Sequence, residues 1–122
     1  MLDKLNLEGK VIIHCGACDA SEMEQYESYK PSLVIWVEAI PRLAELVFSK
    51  TRNRPVEHIV LNCAIYNKDD EVLKFNVCNQ PWASSLLDFG VDRNKYWQPH
   101  SVVETIEVQS LTIDSLLEFY KI

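Results

Sequence analysis

Gly16 and Glu38 stand 22 residues apart, each just after a short apolar run. The first run is Val11-Ile12-Ile13-His14-Cys15 and the second is Leu33-Val34-Ile35-Trp36-Val37, with an amphipathic pattern between them. A nucleotide-binding βαβ unit puts an acidic side chain beside a ribose about 20 residues after its glycine turn. The glycine lets the turn approach a cofactor closely. A carboxylate at Glu38 can accept hydrogen bonds from two adjacent sugar hydroxyls. The same residues have plainer readings: Gly16 as a turn glycine, Glu38 as a solvated strand-end carboxylate, and Asn62 as a turn-initiating asparagine.

The elements that would position these residues alternate at first. Val11 to Cys15 reads as a buried strand, and Gly16 to Asp19 as a turn. Asp19 suits an N-cap, with Glu22 completing a capping box. Ala20, Met23 and Tyr26 share one face of the following helix, which must end before Pro31. Leu33 to Val37 is the second strand, and Pro41 suits the first turn of a helix whose apolar face is Leu43, Leu46 and Val47. His58 to Asn62 is the third strand. Three strands with intervening helices predict a parallel sheet covered on both faces. After the turn Asn67-Lys68-Asp69-Asp70 the pattern changes. Glu71 to Cys78 alternates, Asn79 to Trp97 is irregular, and Val102 to Leu111 alternates again with Val102, Ile106 and Val108 on one face. Asp114 is placed to cap a last helix, Ser115 to Tyr120.

Length and composition narrow the class. A chain of 122 residues with 48% hydrophobic and 25% charged side chains is one globular domain, not a disordered tail. A formal net charge of −6 argues against nucleic-acid binding, which needs Lys and Arg against phosphate. No apolar stretch reaches the ~20 residues that span a bilayer, and residues 1–8 lack a signal-peptide core. These features predict a cytoplasmic protein that does not engage a membrane.

Four cysteines, Cys15, Cys18, Cys63 and Cys78, fit a reducing compartment. Cys15 and Cys63 lie in apolar runs and read as small buried hydrophobes. Cys15-Gly16-Ala17-Cys18 has the CxxC spacing of thiol oxidoreductases. However, Asp19 and Glu22 beside it disfavour a thiolate. His14, Cys15 and Cys18 cluster, but no second ligand pair completes a zinc site, and no metal is expected. His58 and His100 have no patterned partners, and Ser84 and Ser85 read as loop hydrogen-bonders.

Taken in order, several segments resemble one family. They are His14-Cys15-Gly16-Ala17, the helix entered through Ser21-Glu22, and Ile35-Trp36-Val37-Glu38-Ala39 with Pro41 behind it. Leu61-Asn62-Cys63-Ala64, a hairpin after Asp69-Asp70-Glu71, Ser84-Ser85-Leu86 and Leu111-Thr112-Ile113-Asp114-Ser115-Leu116 complete the set. From about Lys10 to Leu117 the chain resembles the N-terminal half of FkbM-type methyltransferases, which use S-adenosylmethionine (SAM) and mostly methylate oxygen. The resemblance implies a partial Rossmann-like α/β sheet (βαβαβ), then an antiparallel hairpin and a short C-terminal helix. It also implies that Gly16 and Ala17 form the turn beside the amino-acid part of SAM. Glu38 would bind the ribose, Asn62 would lie near the adenine amine, and the Cys63 N–H would face an adenine ring nitrogen. No catalytic residue is assigned.

The chain departs from that pattern at Ala20, where a second glycine is common, and at Asn62, where an acid is common. These changes predict a less open first turn and a weaker adenine contact. Family members continue into another central strand, so residues 1–122 read as a single, incomplete domain, inactive alone. The expected partners are a small-molecule or sugar methyl acceptor and a complementary C-terminal segment or a second copy. The alternatives are a noncatalytic nucleotide- or partner-binding remnant and, less favoured, a CxxC oxidoreductase.

Overall fold

The computed structural model describes residues 6–78 and 102–122. Strands β1 (Val11–Cys15), β2 (Leu33–Val37) and β3 (His58–Leu61) form a parallel sheet in the order β1-β2-β3. Helices α1 (Met23–Ser28) and α2 (Pro41–Lys50) are its crossovers. The mixed α/β chain with a parallel sheet is as expected. In register, Cys15 lies beside Val37 and Val37 beside Leu61, so the three carboxyl ends come together.

Because side chains alternate across a strand, β2 serves two cores. Val34 and Trp36 pack with Ala17, Ala20, Met23 of α1 and Val47 of α2. Ile35 and Val37 point the other way, onto Leu116 of α3 (Ile113–Phe119). Helices therefore cover both faces, as expected. These four of the five β2 residues are at most 2% exposed, which explains the unbroken apolar run. Each such side chain contributes about 1.5–3 kcal/mol by leaving water.

β1 departs from expectation. Its residues are half-buried and Cys15 is exposed, so neither full burial of the strand nor of this thiol holds. The reason is position: among the described residues β1 pairs with β2 alone.

Helix ends also differ. α1 begins at Met23 with Glu22 at the N-cap and no side-chain cap, so the Asp19–Glu22 capping box does not form. Ala20 is left-handed (φ 55°) and turns the chain between the two residues. Asp19 Oδ1 instead accepts the Ser21 N–H at 3.1 Å. In α2, Pro41 occupies the first turn as expected, but Leu43, Ala44 and Val47 form the buried face and Leu46 is 42% exposed.

A second sheet contains β4 (Ala64–Ile65), β5 (Val72–Cys78) and β6 (Val102–Leu111) in the order β4-β6-β5. β5 and β6 are antiparallel as expected, with Phe75 opposite Ile106, whereas the short parallel β4 was not anticipated. Val102, expected on the inner face with Ile106 and Val108, is 41% exposed. Leu73, Phe75, Val77, Ile106 and Val108 pack over Ala39, Ile40, Leu43 and Ala64. This sheet therefore sits against the chain leaving the carboxyl end of β2.

The turn before β5 is fastened to α3. Asp69 accepts the Thr112 N–H at 2.7 Å and the Ser115 hydroxyl. Thr112, not Asp114, is the N-cap, its Oγ1 accepting the Ser115 N–H at 3.0 Å. Ser84, Ser85, His100 and the irregular stretch 79–97 lie outside the described residues. Among the described residues no helix is long and apolar enough to cross a membrane.

Candidate functional site

A cleft of about 270 Å³ opens at the carboxyl ends of β1 and β2, bounded by Cys15, Gly16, Glu38, Cys63, Ile65 and Phe75. Open α/β sheets bind ligands at this end of their strands. Gly16 supplies the turn that leaves β1, with φ +82°, a conformation that suits glycine. The N–H groups of Gly16 and Ala17 both donate to the Val37 carbonyl, at 2.8 and 3.1 Å. The turn is thereby sewn to the end of β2.

Glu38 is 5% exposed, and each oxygen of its carboxylate accepts one backbone N–H. Oε1 accepts the Cys18 N–H at 2.7 Å and Oε2 accepts the Ile40 N–H at 2.9 Å. Such charge-assisted bonds are stronger than neutral ones and fix the orientation of the group. An ionised carboxylate has about four acceptor sites, so capacity for two further donors remains.

Cys18 (φ 53°) and Ala20 (φ 55°) are left-handed without being glycine, at a cost of roughly 1–2 kcal/mol each. Ala20 thus adopts the conformation a glycine would take freely. Its methyl group, 2% exposed, packs into the core beside Met23 and Val47.

Of the five expected binding residues, Gly16, Glu38 and Cys63 line the same cleft. The Ala17 side chain is 2% exposed and belongs to the core, so this residue faces the turn only through its backbone. Asn62 borders a neighbouring groove with Pro41, Ala44 and Phe48. Its Nδ2 donates to the carbonyls of Glu38 and Ala39, both at 2.9 Å. Both amide hydrogens are so employed, and Oδ1 is left as an acceptor. Ile65 and Phe75 were not anticipated. Phe75 is legible as an inward position of an alternating strand, but nothing local places that strand over the cleft.

The thiols near the cleft are all pushed toward their neutral form. Burial pushes the Cys15 thiol up. Burial, then the charges of Asp19 and Glu38, push Cys18 up, and the Asp19 backbone only partly offsets them. Burial, then Cys15, raises Cys63. Cys15, Cys18 and Cys63 are free thiols. Among the described residues, no three His, Cys, Asp or Glu side chains gather as a metal site.

Behind the sheet lies a set of stacked rings that sequence reasoning missed. His14 and Tyr26 each stack on Trp36, at ring-centroid separations of 5.2 and 5.4 Å. His58, given no partner from sequence, accepts from Trp36 and meets Glu27, which Arg54 also binds. The partners of His58 come from β2 and α1, 22 and 31 residues away, too far along the chain for a local motif to show. These groups support the strand carrying Glu38 and do not line the cleft.

No curated protein and no solved structure matches the chain. A family model does: the methyltransferase FkbM domain matches residues 14–122. The match takes in the Gly16 turn, Glu38, the second sheet and α3, and the chain belongs to the FkbM methyltransferase domain family.

Proposed function

We propose that the protein is a SAM-dependent methyltransferase domain, that SAM occupies the cleft at the carboxyl ends of β1 and β2, and that the acceptor is a small-molecule or sugar hydroxyl. The observation that carries this reading is the buried Glu38 carboxylate beside the Gly16 turn, oriented by two backbone amides and with acceptor capacity to spare. Those acceptor sites suit the two hydroxyl donors of a ribose diol. Family membership supports methyl transfer. The sheet order β1-β2-β3, with α1 and α2 on one face and α3 on the other, is consistent with one half of a Rossmann-like sheet.

Bound SAM supplies an electrophilic methyl group on a sulfonium that is already a good leaving group. What remains for the protein is alignment and exclusion of water. In this reading Glu38 orients the sugar, Gly16 permits close approach, and Asn62 Oδ1 accepts from the adenine amine. Cys63 presents its backbone to the base, while Ile65 and Phe75 cover the cleft from the second sheet. Gly16 and Ala17 act by shape: their N–H groups are committed to Val37 and are not donors to a ligand carboxylate. A noncatalytic binding module is the second reading. It is favoured by the cleft lining, in which, among the described residues, Glu38 is the one carboxylate beside Val37, Ala39, Ala64, Ile65 and Phe75.

Titration of the ¹⁵N-labelled protein with S-adenosylhomocysteine (SAH), followed by NMR, tests the placement. Amide shifts confined to residues around Gly16, Glu38, Cys63 and Phe75 are expected. Shifts centred elsewhere, or none at saturating ligand, would rule it out.

A further inference from the structure

Residues 16–20 adopt an uncommon conformation. Gly16, Cys18 and Ala20 alternate at φ +82°, 53° and 55°, and two of the three carry a Cβ that disfavours it. Strained backbone persists only where its surroundings over-determine it. Three amides of this segment are tied to the end of β2. Those of Gly16 and Ala17 reach the Val37 carbonyl, and that of Cys18 reaches Glu38 Oε1 at 2.7 Å. The first two ties are backbone to backbone and need no particular side chain. The third depends wholly on Glu38, and its other oxygen is anchored by the Ile40 N–H at 2.9 Å. A buried carboxylate bridging two successive chain exits is a rigid strut, since truncating it leaves a buried and a half-buried backbone donor without that acceptor.

We infer that Glu38 is a positioning residue for the turn at the mouth of the cleft. Its carboxylate holds Cys18 in the left-handed conformation and thereby keeps Gly16 and Ala17 seated on Val37. The role belongs to the ligand-free protein and goes beyond any contact that Glu38 makes with a sugar. It also accounts for a non-glycine residue at Cys18: an outside acceptor, not the residue's own preference, sets the conformation there. Removing Glu38 should then disturb amides that Glu38 does not touch.

Amide hydrogen exchange on the ligand-free 122-residue chain, read residue by residue by NMR, tests this. In the wild type the Cys18 N–H should be protected to the level of the Gly16 N–H. In Glu38→Ala, which removes both acceptor oxygens, exchange at Cys18, Gly16 and Ala17 should all accelerate at least about tenfold, while Ile35 and Trp36 in β2 stay protected. Glu38→Ala/Cys18→Gly, which removes the strain but keeps the amide, should restore Gly16 and Ala17. Acceleration limited to Cys18 and Ile40 would mean the loss of two hydrogen bonds and nothing more, and would overturn the inference. Should Glu38→Ala fail to fold, the wild type alone decides, because a Cys18 amide exchanging like an exposed loop would overturn it equally. No ligand is used, so the result stands apart from whether SAM binds.

Discussion

The Trp36 indole Nε1–H donates to His58 Nδ1 at 3.0 Å. An indole nitrogen can only donate, so His58 Nδ1 must be the unprotonated nitrogen, leaving Nε2 to meet Glu27 Oε2 at 2.9 Å. Two side chains 22 residues apart thus define one tautomer inside the core. The His58 side chain is wholly buried, which makes the pairing costly to break. Long-range ¹⁵N–¹H correlation spectra should show His58 with its proton on Nε2. Trp36→Phe should destabilise the fold by about 1–3 kcal/mol through the orphaned nitrogen alone, before lost ring contacts are added. Chemical denaturation measures this, and an unchanged midpoint would refute the assignment.

Asp69 links the turn before β5 to the start of α3. The Ser115 hydroxyl, then the Thr112 N–H, hold its carboxyl below the usual range. A carboxyl depressed by folding contributes stability that is present above its unfolded pKa and lost as pH falls through the folded value. Melting temperature should therefore drop as the solution is acidified past the ordinary carboxyl range. Asp69→Asn should lower it at neutral pH and flatten that dependence. An acid limb identical to the wild type would show that Asp69 has no part in it.

Cys15 and Cys18 should not behave as a redox pair. Both thiols are pushed up, first by burial and for Cys18 also by Asp19 and Glu38, so less thiolate is present at neutral pH than in an ordinary cysteine. Thiolate is the reactive form. Alkylation by iodoacetamide at neutral pH, followed by mass spectrometry, should be slower at both sites than for free cysteine and should rise only in alkali. Rapid alkylation together with a reversible disulfide would favour the oxidoreductase alternative.

The outer edge of β1 leaves backbone N–H and C=O groups unpaired among the described residues. Such an edge templates pairing with another strand. Sedimentation of the purified 122-residue chain should show self-association, and transfer of labelled methyl groups to hydroxyl acceptors should be undetectable. A stable monomer with turnover would show that the cleft functions with that edge open.

The parallel sheet was legible because each β2 residue is apolar and its flanking turns carry Gly16, Pro31 and Pro41. The site was legible in part. The spacing of Gly16 and Glu38 survives folding because both residues follow aligned strand ends. What could not be read is tertiary. The placement of Phe75 over the cleft depends on packing against Ile40 and Ala39. The exposure of Cys15 depends on which strand lies beside β1. The failed capping box at Asp19 depends on the left-handed Ala20, where a local helix signal yields to a turn held by other contacts.

The account turns on whether Glu38 holds the ribose of SAM in this cleft, and calorimetric titration of the wild type and Glu38→Ala with SAH measures that most directly. Losing a charged acceptor costs roughly 1.5–3 kcal/mol, or about ten- to a hundredfold in affinity. The wild type should bind and the variant, confirmed folded by its circular dichroism, should bind weaker by that factor. Equal affinities for the two folded proteins would contradict the account.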